Sequence, residues 1–203
     1  MADQTHPLIE QLKQVCAQAD AEFERGRRVH GARILCAAGC SSCCSQIFQI
    51  TEVEAARISQ HVATLPEAER AALQARAREN LRRRNWLFND NERWGDSLAS
   101  GGNPCPALTS KGACGMYDAR PIMCRKFGVP IFNPDKPASV MACELNFKPG
   151  DEIEDAELVE QQTALYRAQQ DLQADWNGMR GGRDDKPWSI ARAIVEDATK
   201  FLP

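Results

Sequence analysis

No stretch of this 203-residue sequence stays apolar for the roughly 18 residues that a membrane-spanning helix needs. An excess of one charge is also missing: 25 Lys and Arg stand against 28 Asp and Glu, a net charge of −3. Proteins built around nucleic acid carry a concentrated basic footprint, and none is present. No Gly-rich phosphate loop, nucleophile elbow or Ser/His/Asp pattern occurs either. The opening residues, Met1-Ala2-Asp3-Gln4, place an acid where a secretory signal needs basic charge, and no long apolar segment follows. These absences predict a cytoplasmic protein that binds neither membrane nor nucleic acid.

Against them stands a surplus of cysteine. Nine occur in a chain whose hydrophobic fraction, 43%, suffices for a core without disulfide staples. A reducing compartment keeps thiols available for metal or catalysis, so clustering carries information. Cys16 stands alone; Cys36, Cys40, Cys43 and Cys44 fall within nine residues; Cys105, Cys114, Cys124 and Cys143 follow. Chelation explains that distribution better than packing does.

The remainder reads as a mainly α chain, a small helical domain around an irregular cysteine-rich centre with few or no short strands. Residues 1–203 are expected to form one domain. Its cysteine-cluster core spans about 31–147, with an N-terminal helix over 7–29 and C-terminal helices over 155–202. Leu8, Leu12, Val15, Ala19 and Phe23 recur at helical steps behind Pro7, a favoured first helical residue. Cys16 lies beside that stripe and reads as a small buried apolar residue. Gln46 to Ile50 alternates weakly and suits a short strand. Thr51 and Glu54 form a capping box that starts a helix reaching about Ala63.

A further helix runs from Leu65-Pro66 to about Phe88; its Arg82-Arg83-Arg84, interleaved with Glu67, Glu69 and Glu79, reads as a solvated face. Asn89 to Pro104 is loop, and Pro121 opens one helical turn carrying Cys124. Asp155 to about Met179 is helical, with Leu158, Leu165, Leu172 and Trp176 on one face. Gly181-Gly182 ends it, and Pro187 starts a last helix through Phe201.

The first thiol group reads Cys36-Ala37-Ala38-Gly39-Cys40-Ser41-Ser42-Cys43-Cys44. Two or three residues between ligands let a tight loop wrap one ion or one corner of a cluster. Gly39 can take a positive φ, and the small neighbours let backbone amides approach sulfur. Cys43 and Cys44, being adjacent, point in different directions, so one can ligate while the other serves a second site. The C-x3-C-x2-C spacing is also that of radical S-adenosylmethionine enzymes. Ser42 replaces the aromatic residue those enzymes carry, and the strand–helix repeats of their barrel are absent.

The second group comprises Cys105-Pro106-Ala107-Leu108, Cys114-Gly115-Met116-Tyr117, Arg120-Pro121-Ile122-Met123-Cys124-Arg125-Lys126-Phe127 and Cys143. With these motifs the chain resembles the YkgJ-type CxxCxxCC cysteine-cluster family, proposed to chelate zinc or iron. The resemblance runs from about Cys36 to Cys143 and departs from the family in its wider first spacer, three residues between Cys36 and Cys40. It implies metal ligands at Cys36, Cys40, Cys43, Cys44, Cys105, Cys114, Cys124 and Cys143. Similarity to the cluster domain of flagellin lysine N-methylases further implies cluster-assisted methyl transfer.

Three functions follow as expectations: an iron–sulfur protein, with a 4Fe-4S cluster, acting in electron transfer or on a partner; a structural zinc module; and a methyltransferase-like enzyme. A redox or other protein partner is expected for the first. Eight thiolates on two zinc ions leave a charge of roughly −4, and four on an oxidised [4Fe–4S] core roughly −2. Arg120, Arg125 and Lys126 can offset either, or form ordinary surface salt bridges. One site is expected to take Cys36, Cys40 and Cys43 with Cys124 or Cys143, leaving Cys44, Cys105 and Cys114 for another. Tyr117 reads as a packed aromatic. His6, His30 and His61 lie away from the motifs; His30 is the nearest and could replace a cysteine, though surface or capping roles are commoner for such residues.

Overall fold

A computed structural model describes residues 6–87, 98–99, 103–179 and 186–202. The sequence features placed at residues 1–4, most of 89–104 and Gly181-Gly182 lie outside them. In chain order the described elements are α1 (Pro7–His30), β1 (Gln46–Ile47), β2 (Gln49–Ile50), α2 (Glu52–Thr64), α3 (Glu67–Leu87) and β3 (Leu98–Ala99). Then come α4 (Ile122–Lys126), β4 (Ile131–Phe132), β5 (Val140–Met141), α5 (Leu158–Met179), β6 (Trp188–Ser189) and α6 (Ile190–Val195). Short 3₁₀ turns fill several gaps. The fold is mainly α, and its described strands form only antiparallel pairs: β1 with β3, β2 with β6, β4 with β5.

The chain divides into two compact units. The first comprises Met1–Ala37 and Pro121–Trp176; the second comprises Ala38–Arg120 and Asn177–Pro203.

In the first unit, α1 starts at Pro7, and the His6 ring nitrogen caps it by accepting from the Leu8 N–H at 3.3 Å. Most of the predicted stripe is buried: Leu8, Leu12, Val15 and Ala19 are each 4% exposed or less, Cys16 lies in the same core at 3%, and Phe23 is half-buried. Burying each aliphatic side chain stabilises the fold by about 1.5–3 kcal/mol. α1 packs on α4, the single helical turn predicted after Pro121. Gly26 allows a close approach to the 121–176 stretch, because a Cβ there would meet Val129 Cγ1 at 2.8 Å.

On α5, Leu158, Leu165, Leu172 and Trp176 are buried as the periodicity predicts. The helix begins at Leu158, not Asp155. Asp155 accepts from the Glu157 N–H at 3.1 Å and turns its carboxylate to Arg25, so it caps the entry instead of joining the helix. Arg25 also grips Glu22, whose carboxylate accepts from the buried Gln162 amide at 2.9 Å.

In the second unit, the capping box forms as expected. Thr51 Oγ1 accepts from the Glu54 N–H, and Glu54 Oε2 accepts in return from the Thr51 N–H at 2.7 Å. Thr51→Ala should therefore cost about 1 kcal/mol, read as a lower urea midpoint at unchanged m-value. Val53, Ala55, Ala56, Ile58 and Val62 form the buried face of α2. The weak strand pattern of 46–50 resolves into two short strands, β1 and β2, interrupted at the buried Phe48.

The predicted last helix from Pro187 to Phe201 is broken. Trp188 and Ser189 pair with Ile50 and Gln49 instead, and the Ser189 hydroxyl then caps α6. Asp197 caps a separate 3₁₀ turn over Ala198–Phe201. On α3, Glu79 binds both Arg82 and Arg83 on an exposed face. Hydrogen bonds from those two guanidinium groups hold its carboxyl near a pKa of about 2. Arg82 and Arg83 thus lie on the solvated face which the charge pattern predicts, whereas Arg84 is half-buried and burial lowers its pKa to about 10. Among the described residues, no helix is long and apolar enough to cross a membrane.

Candidate metal centre

The loop after Ala38 is shaped by glycine and closed by backbone hydrogen bonds. Gly39 has φ +89, the left-handed conformation its position suggests. A second loop comes so close that a Cβ on Gly112, itself at φ +74, would lie 3.1 Å from the Gly39 carbonyl oxygen. A 3₁₀ turn over Ser42–Ser45 carries Cys43 and Cys44. The Cys105 N–H donates to the Cys44 carbonyl at 2.7 Å, which fixes the second thiol group against the first. Cys105 and Cys114 flank a tight loop in which the Thr109 N–H donates to Ala113 O and the Gly115 N–H to Ala107 O, each at 2.8 Å.

Three pairs of thiols in the second unit interact electrostatically: Cys43 with Cys44, Cys43 with Cys105, and Cys105 with Cys114. The Cys43 thiol is pushed well above its ordinary range, first by a hydrogen bond with the Cys44 side chain, then by burial and the Cys44 charge. Arg120 opposes that shift. Burial pushes the Cys105 thiol up to about 11, with Cys114 and Cys43 adding to it. Cys43 thus interacts with Cys44 and Cys105, two thiols that the spacing placed apart from it. The Cys105–Cys44 backbone bond joins their loops, and the sequence does not announce it. Cys40, also in this unit, is exposed.

Besides Cys16, the first unit holds Cys36, Cys124 and Cys143. Cys124 rides on α4 half-buried, and Cys143 is buried. Cys36 is met by a side chain that sequence reasoning passed over: Asn146 Nδ2 lies 3.6 Å from its sulfur. The only hint was position, one helical step beyond Cys143. Among the described residues, no three His, Cys, Asp or Glu side chains converge tightly enough to hold an ion between them.

Other candidates resolve differently. Tyr117 is not a packed aromatic: it is 59% exposed, with the Arg120 guanidinium 4.1 Å above its ring. Its 3₁₀ turn, Tyr117–Ala119, is too short to bury more than Ala119. Arg125 is buried and pairs with Asp20 at 2.7 Å, and Lys126 is buried as well. His6 caps α1. The His30 ring is buried edge-on to Phe147, 3.9 Å from Asp155, and burial lowers its pKa. Glu54 is committed to the capping box.

The donor set fits a soft cation. Sulfur is its only ligand type, and desolvated thiols that resist ionisation are those a thiophilic ion would convert to thiolates, releasing their protons. Fold and site together define a helical metal-binding protein of the cysteine-cluster class. Comparison with known families agrees: residues 35–143, more than half of the chain, match the CxxCxxCC family, described as a "putative zinc- or iron-chelating domain". The chain belongs to that family. No curated protein and no solved structure matches it.

Proposed function

We propose that this protein holds iron in a sulfur-ligated cluster and uses it to pass electrons to, or assist a reaction on, a partner protein. The observation that carries this reading is that Cys43, Cys44, Cys105 and Cys114 lie on loops joined by the Cys105–Cys44 backbone bond, with Arg120 near Cys43. Cysteine-only ligation is what iron–sulfur centres use. Cys36, Cys124 and Cys143 lie in the first unit as further candidate ligands, and Cys40 is an exposed thiol of the second. The cluster, when bound, supplies one-electron chemistry. The protein's own part is to supply thiolates, exclude water around Cys105, and place the positive charge of Arg120 near the sulfur. The family description names chelation and no reaction, so a methyl-transfer role has no support beyond the motif likeness.

Anaerobically purified protein should be brown, with broad absorption near about 400 nm, typical of thiolate-bound iron. Elemental analysis should find iron together with acid-labile sulfide. Colourless protein carrying stoichiometric zinc, from cells replete in both metals, would establish the structural zinc module instead.

A further inference from the structure

We propose that Asn146 is a positioning residue for the Cys36 sulfur, aiming an amide N–H at it so that the sulfur faces a metal as a hydrogen-bonded thiolate. This role rests on the chelation reading above. Asn146 lies three residues beyond the 35–143 stretch that carries the family match, so the match does not assign it.

The geometry fixes which way the carboxamide points. Its oxygen accepts from the Leu35 N–H at 3.0 Å. Its nitrogen donates to the Gly128 carbonyl at 2.7 Å, which leaves the second amide proton for Cys36 Sγ at 3.6 Å. Turning the amide over would set its oxygen against the Gly128 carbonyl and its N–H groups against the Leu35 N–H. Three bonds therefore enforce one orientation. Asn146 is 7% exposed, so water competes little for that donor.

Gly128 completes the cradle. A Cβ there would lie 2.6 Å from Cys36 Sγ and 3.2 Å from Phe23, and the residue sits at φ +130, where side chains are strained. Backbone thus approaches the sulfur where any other residue would displace it. An amide donor on a ligating sulfur disperses its negative charge and fixes its direction. Loss of such outer partners typically weakens metal binding by about 10–100-fold.

An Asn146 that merely holds the first unit together would also weaken binding when removed, by loosening Cys124 and Cys143 as well as Cys36. A double-mutant cycle separates the two roles. Zinc-loaded full-length protein is mixed with a chromophoric chelator, and metal release is timed for wild type, Asn146→Leu, Cys36→Ala and the double variant. Positioning through sulfur predicts release about 10–100-fold faster in Asn146→Leu, with no further acceleration when Asn146→Leu is added to Cys36→Ala. Equal acceleration in both backgrounds, or none, overturns the proposal.

A second measurement covers the case in which Cys36→Ala holds no zinc. In the metal-free protein, nuclear magnetic resonance should show one Asn146 side-chain amide proton shifted and exchanging faster in Cys36→Ala than in wild type. An unchanged amide signal overturns the contact itself. Wild-type protein that takes up neither zinc nor iron refutes the chelation reading, an outcome recognisable before any variant is compared.

Discussion

Arg25→Met should destabilise the protein by about 3–5 kcal/mol, because it strands two buried carboxylates. Arg25 reaches Glu22 and Asp155, each at 2.7 Å, and those acids have side-chain exposures of only 6% and 3%. Charges so placed tolerate the loss of water only while the guanidinium satisfies both. The pH dependence has a defined sign. Hydrogen bonding to Arg25 holds the Asp155 carboxyl below its ordinary range. Its contribution is therefore complete above the unfolded value of about 4 and is lost as pH falls through the lower folded value. Urea unfolding from pH 7 down to pH 3 should show the wild-type advantage over Arg25→Met shrinking with acid. A variant within 1 kcal/mol of wild type at pH 7 would mean that solvent already reaches these carboxylates. Arg25→Met combined with Glu22→Gln and Asp155→Asn should recover part of the loss, since no bare charge then remains.

Cys105→Ser should strip the protein of most of its metal and open the second unit to protease, whereas Cys16→Ala should leave metal content unchanged. Structural thiolate sites contribute on the order of 10 kcal/mol of folding free energy at neutral pH. Removing one ligand in four forfeits a large share of that. Cys105 is the most informative choice because its N–H holds the Cys44 carbonyl while its own sulfur is desolvated. Cys16 offers the contrast, a thiol on the buried stripe of α1. Metal must displace protons from these thiols, so retention should weaken as pH falls. Elemental analysis and limited proteolysis of the two variants check both claims. Equal metal in Cys105→Ser and wild type would remove Cys105 from the ligand set.

Much of this was legible in the sequence. Pro7 and the Leu8–Val15 stripe mark α1, the Thr51–Glu54 box marks the start of α2, and Pro121 marks the turn carrying Cys124, because each signal is local. The errors share a cause. Trp188 and Ser189 leave the helical pattern to pair with residues almost 140 positions earlier, a long-range choice that no window of sequence contains. Asp155 leaves α5 because of Arg25, 130 residues away. Tyr117 was misjudged because an aromatic side chain says nothing about which way a 3₁₀ turn will face. Among the cysteines, membership of a cluster could be read from crowding. The backbone contact between Cys44 and Cys105, which joins the two thiol loops, could not. Asn146 escaped notice because a lone asparagine carries no pattern.

Residues 188–201 brace the second unit from far along the chain. β6 pairs with β2, five residues past Cys44, and α6 and the final 3₁₀ turn lie against α2 and α3. Ser59 secures the arrangement: its hydroxyl is 2.9 Å from the Ala193 carbonyl and accepts from the Ala198 N–H at 3.0 Å. A chain emerging from the ribosome N-terminus first must hold Cys40, Cys43, Cys44, Cys105 and Cys114 without that clasp until about residue 200 has been synthesised and released. Throughout that interval the thiols are present but their loops are unbraced. Any metal that enters the finished geometry thereby waits until residues 188–201 have been made, and a chain cut short before Trp188 would carry every cysteine yet lack the strand that steadies them.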